Sequence, residues 1–340
     1  MAAGFKSATV RAADVPATQT DFPSYVDLAR IGITTLAEAE SVRVYADSAK
    51  TTEWAREIVS LTEMHVKVPS LTSIVVMYVD WDGVRSDYAV TDTFGRNNVW
   101  TGFTSVYHLE SVTADSTVNA NTLTNTGSTG NATGKLNGNG ADFGASNTSK
   151  KLTVSGNLGI GGNSSIVMSQ WFQTASTPTA GNQPVIVSHR STTGADRYCD
   201  TYYRNDAGVL SIYSGSGGVV TARYIITLSV NTWYHLVAIR DVSANNFKIY
   251  LDGVLQATSG ALPTAAAAQN GYAISEFVGG GGFWWPGKQD ENRVTTTVPD
   301  ANRITTEYNN QNDEASFWGT WADVCGAVSV NARRLFMMMV

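Results

Sequence analysis

NTWYHLVAIRDVSANNFKIYLDGV, residues 231–254, encodes two strands and the turn that leads into a third. In its first half Trp233, His235, Val237 and Ile239 alternate with Tyr234, Leu236, Ala238 and Arg240. In its second half Phe247, Ile249 and Leu251 alternate with Lys248 and Tyr250. Such period-two alternation of β-branched and aromatic residues is the strand signature. Residues 243–246 form a short polar loop, so the two runs pair as an antiparallel hairpin. Asp252-Gly253 then separates KIYL from VLQAT. An Asp-Gly pair between strand runs favours a type I′ turn, because both central residues must take positive φ. One segment thus predicts three consecutive antiparallel strands.

The two motifs, W-Y-H-L-V-A-I-R-D and K-I-Y-L-D-G-V at this separation, resemble the laminin G-like, concanavalin A-like jelly-roll family. The resemblance implies a two-sheet β-sandwich often used for sugar or protein binding. It does not imply an activity, since function lives in a site grafted on a fold. It covers residues 103–318. SSIVMSQWFQT (164–174) resembles the strand that crosses the family core, and GKQDENR (287–293) lies in its closing strands. DANRITTEYNNQ (300–311) resembles the short helix that ends these domains, with Asp300 as N-cap and Ile304 and Tyr308 on one face. Between these motifs KKLTVSG, QPVIVSHRS, RYCDTYYRND, GVLSIYSGSG and ARYIITLS are short runs divided by Gly, Asn and Ser. That spacing is the mark of a sandwich. The Asn/Thr/Gly/Ser tract at 118–147 reads as a series of tight turns, because Gly and Asn tolerate positive φ and so long a structureless loop is unusual in a compact domain.

The first hundred residues read as a separate β region. SVRVYADS (41–48), EMHVKVPSL (63–71) and SIVVMYVDW (73–81) are strand runs. ITTLAEAE (33–40) offers Thr35 as N-cap with Glu38 three residues on, a capping box that predicts one short helix. Asp21-Phe22-Pro23 and Val68-Pro69 are expected to break the pattern, since a residue before proline is pushed out of the α region. DFPSYVDL, SVRVYADS, EWAREIVS, HVKVPSL, IVVMYVDW, YAVTDTFGRNNVW and VYHLES, in that order, resemble a domain of unknown function found in bacterial and phage surface proteins. That domain commonly sits directly before a laminin G-like domain. Where it usually ends its last core strand in Tyr-Gly-Asn, this chain has Val79-Asp80-Trp81. GRNNVW (95–100) is the expected junction, short enough for the two parts to pack together. The expected architecture is all-β: two β-sandwich modules at 1–100 and 101–318, the second a jelly roll, with one or two short helices and a tail at 319–340.

Composition narrows the function. Of the 340 residues 43% are hydrophobic, enough for a core, and only 15% are charged, below the usual quarter. A net charge of −6 and a pI near 5.2 leave no global basic field for nucleic acid. Cys199 and Cys325 match no zinc motif and are read as buried free thiols rather than a bridge. Residues 1–26 contain no continuous apolar run of a secretory signal, and no window of the chain predicts a membrane span. A surface-type composition without a leader points to another route outward, such as assembly into a virion.

Candidate site residues follow from chemistry. His65, His108, His189 and His235 are spread through predicted strands, and none has a nearby Ser or Cys in a nucleophile motif. Glu110, Asp290 and Glu291 are the only carboxylates considered for glycosidase-type pairing. The resemblance implies one calcium at the loop rim, for which Asp142, Asp290 and Glu291 are the local acids. The family's F-D-G-x-x-D loop reads Phe143-Gly144-Ala145-Ser146-Asn147 here and lacks its acids, which argues against the ion. Aromatic runs Tyr202-Tyr203 and Phe283-Trp284-Trp285 are candidate sugar platforms. Adjacent strand residues face opposite ways, so one ring of each pair is expected in the core. The glycine runs at 159–162 and 279–282 lack the strand-loop-helix context of a phosphate cradle. The apolar end, with Leu335, Phe336 and Met337, is a candidate segment for docking on a neighbouring subunit.

The expected function is a non-enzymatic surface protein: a phage head-decoration or tail-fibre component with a lectin-like domain, acting outside the cell without a signal peptide. Its expected partners are other virion proteins, further copies of itself and cell-surface glycans, with no nucleic acid and no membrane insertion. No cofactor is expected. The alternatives are a bacterial adhesin and an accessory binding region of a glycan-active enzyme.

Overall fold

The computed structural model describes residues 3–145, 148–161, 164–177, 183–190, 197–204, 209–214, 219–262 and 271–324. Its four sheets form two sandwiches. In the first module a five-stranded sheet runs in the order Ala322–Asp323, Gly4–Thr9, Val76–Trp81, Arg43–Tyr45, Glu53–Trp54. A three-stranded sheet of Gln19–Asp27, Glu63–Leu71 and Arg56–Ile58 packs on it. Val26, Val44, Met64, Val66, Met77 and Val79 fill the space between. The predicted helix is present at Leu36–Glu40 with its full capping box, Glu38 reaching back to the backbone amide of Thr35.

Two expectations give way here. Both proline sites lie inside strands rather than between them, Asp27 back to Gln19 pairing with Glu63–Leu71. Restriction to the β region suits a strand. Gln19–Asp27 is an edge strand, and Pro69 lies beyond the reach of the third strand, so neither missing N–H costs a ladder bond. Asp21, opposite Pro69, takes up the irregularity at φ 47°. The second difference is at the chain end. The terminal helix is followed by a second, Glu314–Trp318, and by the strand Ala322–Asp323, which pairs with Lys6 and Ser7. Phe317, Trp318 and Trp321 enter the core of the first module. The segment after 312 therefore closes the N-terminal sandwich rather than trailing from the second.

The second module stacks an eight-stranded sheet on a seven-stranded one. Tyr234–Asp241, Asn246–Leu251 and Val254–Thr258 form the predicted meander, and its turn residues Asp252 and Gly253 have φ of 50° and 77°. Leu236, Ala238, Phe247 and Ile249 face the other sheet, in the core with Phe143, Phe172 and Tyr272. Val237, Ile239 and Tyr250, on the opposite face, are buried too, because Ile304 of the Ala301–Asn312 helix covers them. Burying each such aliphatic side chain contributes about 1.5–3 kcal/mol relative to exposure. Asp300 caps that helix by accepting the Arg303 amide at 2.7 Å. The turn-rich tract carries three short strands, Thr124–Thr126, Gly130–Thr133 and Asn139–Asp142. Ala120, Ser128 and Asn137 turn with positive φ.

Candidate functional site at the junction of the modules

The strand Gly287–Thr295 sits in the middle of the eight-stranded sheet and builds the junction. Gln289 and Asn292 reach the sandwich interior, where Gln289 donates to the Ile186 carbonyl at 3.0 Å and Asn292 meets Tyr272 and Gln170. In regular pleat Asp290 would share the side of Asn292, with Glu291 opposite. Instead the register shifts between Ser169 and Trp171, and Glu291 takes φ 51°. This bulge turns the carboxylates of Asp290 and Glu291 and the guanidinium of Arg293 outward from the sandwich. Left-handed backbone at a non-glycine residue costs on the order of 1–3 kcal/mol and persists where surrounding contacts hold it.

Those contacts come from both modules. Glu63 and His65, two residues apart on one strand, project from the first module, and His108 and Glu291 come from the second. His65 Nε2 lies 2.9 Å from Glu63 Oε1 and 3.7 Å from Glu291 Oε2. His108 Nδ1 lies 3.4 Å from Glu63 Oε1 and also meets Glu291 Oε1, while its Nε2 is 3.1 Å from Glu57 Oε2. The two imidazoles stack at 4.7 Å, and Trp100, whose indole N–H donates to Glu57, closes the cluster. All of these side chains are buried. Burial pushes the Glu63 carboxyl well above its ordinary range, and the charge of Glu291 adds to that. Burial opposes charge on His108 and Glu291 alike, but their mutual attraction raises His108 well above, and with Arg293 holds Glu291 well below, its usual value. His65, which burial depresses, is neutral.

Beside this closed cluster the junction is open. A cavity of about 390 Å³ lies between the Thr18–Asp21 edge of the first module, the 295–300 loop and the start of the long helix. Thr18, Asp21, Thr297 and Asp300 on its rim are exposed, and Phe103 and Val298 supply apolar surface. Arg293 forms the wall between the two halves. It donates from Nε to Glu291 at 3.0 Å on the closed side and from Nη1 to Glu307 at 3.2 Å on the open side. Size, the position between modules and a few convergent polar groups are the usual features of a small-ligand site.

The residues singled out from sequence are distributed differently. Trp285 and Tyr203 belong to the sandwich core, and Trp285 donates to the Gln173 carbonyl at 2.9 Å. Tyr202 is buried against Val185 and Phe277, and Trp284 alone of the four keeps part of its ring accessible. A platform of stacked outward rings is therefore absent among the described residues: both tyrosines pack, because Val185 and Phe277 cover the outer face as the core covers the inner. The proposed calcium ligands do not converge. Asp142 caps the Gly144 amide at 2.8 Å, Asp290 accepts the Lys135 amide at 2.7 Å and the Glu291 amide at 2.9 Å, and Glu291 is held by Arg293. Calcium takes six to eight oxygens around one point, and these three acids do not fit it. Glu110 accepts the side-chain amide of Asn139 at 2.7 Å and serves the turn. Cys199 is a buried free thiol, raised by burial. Cys325, Ser146, Asn147 and the segment with Leu335, Phe336 and Met337 lie outside the described residues. Sequence reasoning missed Glu57, Glu63, His65 and His108 as a group. Glu63-x-His65 on a predicted strand was the available signal, since period two puts both on one face.

Residues 143–305 match the family model of the concanavalin A-like lectin/glucanases superfamily. The second module is laminin G-like. Among solved structures the chain is similar to domain 4 of the extracellular arabinanase AbnA of Geobacillus stearothermophilus, solved with arabinotriose, at 19% identity and a TM-score of 0.48. That match covers 60% of this chain and 96% of the other. It is also similar to the binding domain of botulinum neurotoxin DC, at 11% identity and a TM-score of 0.48 over 61% of this chain. Here the chain spans only 50% of the toxin domain's length. No curated protein matches the chain. The family match makes the second module a lectin-like jelly roll.

Proposed function

We propose that this is a non-enzymatic surface protein whose laminin G-like module binds glycan at the cleft between the modules. The match of residues 143–305 to a lectin superfamily carries the reading. The cleft supports its location, with a volume of about 390 Å³ and hydroxyl, carboxylate and guanidinium groups on its walls. Ligand sites of this kind combine apolar surface with a few placed polar groups that fix orientation. No helix of the described residues is long and apolar enough to cross a membrane. The setting we propose is the surface of a phage particle, as a head-decoration or tail-fibre component in contact with other virion proteins or further copies of itself. The likeness of the first module to a domain of bacterial and phage surface proteins supports that setting.

The test is a glycan array and host-cell binding assay with labelled protein, run beside Thr297→Trp and Trp284→Ala variants. Thr297 is exposed on the cleft rim, and an indole there fills the cavity. Saturable binding lost in Thr297→Trp and kept in Trp284→Ala is the expected result. Binding lost only in Trp284→Ala moves the site to the loop rim, and no binding to any glycan or cell ends the lectin reading.

A further inference from the structure

We propose that Glu63, His65, His108 and Glu291 form a buried zinc site that pins the two modules together. One ligand atom from each lies within 4.8 Å of all the others. Zinc bound tetrahedrally at 2.0–2.1 Å sets its ligands about 3.3 Å apart. Glu63 Oε1 lies 2.9 Å from His65 Nε2 and 3.4 Å from His108 Nδ1, and Glu291 faces both rings, with Oε2 3.7 Å from His65 Nε2 and Oε1 in contact with His108 Nδ1. Two imidazole nitrogens and two carboxylate oxygens suit a borderline cation and not calcium, which takes a larger cage of oxygens.

The surroundings of His108 also match those of a metal ligand. A zinc-bound histidine normally gives its other nitrogen to a carboxylate, which fixes the ring. His108, with Nδ1 toward the cluster, has Glu57 3.1 Å from Nε2. Glu57, Glu63, Asp290 and Glu291 are four carboxyl groups exposed by 6%, 1%, 2% and 1%. Of these four, the buried guanidinium of Arg293 pairs with Glu291, and Arg96 reaches Glu57 only at 4.0 Å. Buried charge needs a partner, and a divalent ion supplies it without proton uptake. Glu57 also lines a small pocket of about 90 Å³ with Arg56, Asp87, Tyr88 and Arg96. The ligands are split between the modules, so bound zinc crosslinks them in the folded state only and its binding energy becomes folding energy.

The full chain is stripped with chelator, dialysed and titrated with zinc chloride, then with calcium chloride. Metal content is measured by atomic emission and the unfolding midpoint by differential scanning calorimetry. About one zinc per chain, a higher midpoint with zinc and no change with calcium are expected. Glu63→Gln keeps size and hydrogen bonding and should weaken zinc binding at least about tenfold, as should His108→Gln. Cys325→Ser should leave it intact. The chain's other two histidines, His189 and His235, are buried elsewhere, so they offer no competing surface site. If a variant fails to fold, zinc-edge X-ray absorption on the wild type decides: two nitrogen and two oxygen neighbours at about 2.0 Å support the site. Substoichiometric zinc, an unmoved midpoint, equal response to calcium, unaltered affinity in Glu63→Gln or a sulfur neighbour overturns it.

Discussion

The junction has two halves that share one arginine. On the closed side Glu57, Glu63, His65, His108 and Glu291 are buried, with Trp100 packed against both imidazoles. On the open side Arg293 and Glu307 look into a cleft whose rim of threonines and aspartates is exposed. The chemistry of the groups is alike, acids and bases at similar distances. The difference is water. Where it is excluded, charges must be paired by partners from both modules, and the pairing holds those modules in one orientation. Where it is admitted, the same groups stay available to a ligand.

The largest effect should come from breaking the closed half. Arg293→Met leaves Glu291 with His108 as its one remaining cation and Glu307 without its guanidinium partner, and removing one partner of a buried pair costs about 3–5 kcal/mol. Trp100→Ala should cost a similar amount, about 3–5 kcal/mol, by opening a cavity over the cluster. Urea unfolding of both variants checks this.

A pH titration probes the boundary between the halves. His235 lies behind Glu307, with Ser169 at 3.3 Å, and burial lowers it to about 4, Arg293 and Lys135 adding to the effect and Glu307 opposing it. His189, in the sandwich away from the junction, is likewise lowered to about 4 by burial. The unfolded chain takes up these protons near pH 6.5, before the folded chain does. The contribution of each of these two histidines to stability is therefore complete above about pH 6.5 and is lost as the pH drops toward 4, by about 3 kcal/mol apiece. His235→Gln should remove its share of that slope, read from unfolding midpoints at pH 7, 5.5 and 4.

Smaller effects belong to the open half. Asp300→Ala removes the cap of the helix that forms its floor and should cost about 1 kcal/mol in thermal unfolding. Thr297→Trp should change stability by no more than about 0.5 kcal/mol while abolishing ligand binding. A large loss of stability in Thr297→Trp would show that the cleft is not open.

Much of the fold was legible because it rests on local signals. The Asp252-Gly253 turn, the alternation from Tyr234 to Leu251 and the Thr35–Glu38 capping box each depend on neighbours in sequence. The covering of Val237 and Ile239 was not, since alternation reports two faces but not what packs on the outer one. The return of Trp318 and Trp321 to the first module was hidden for the same reason: a long-range contact leaves no periodic mark. The closed cluster was half legible. Glu63 and His65 share a face by period two, but Glu291 joins them only through a bulge, and a bulge shifts register without any residue that announces it. Alternation predicts one ring of the Tyr202–Tyr203 pair in the core and the other outward, but it does not report that Val185 and Phe277 cover the outward one.

The most direct test of the junction as a lock is differential scanning calorimetry of the full chain at pH 7. A buried interface held from both sides predicts one transition, with the calorimetric enthalpy equal to the van't Hoff enthalpy, and its division into two transitions in Arg293→Met. Two separate transitions in the wild type would contradict the account, and would mean that the two sandwiches touch without depending on one another.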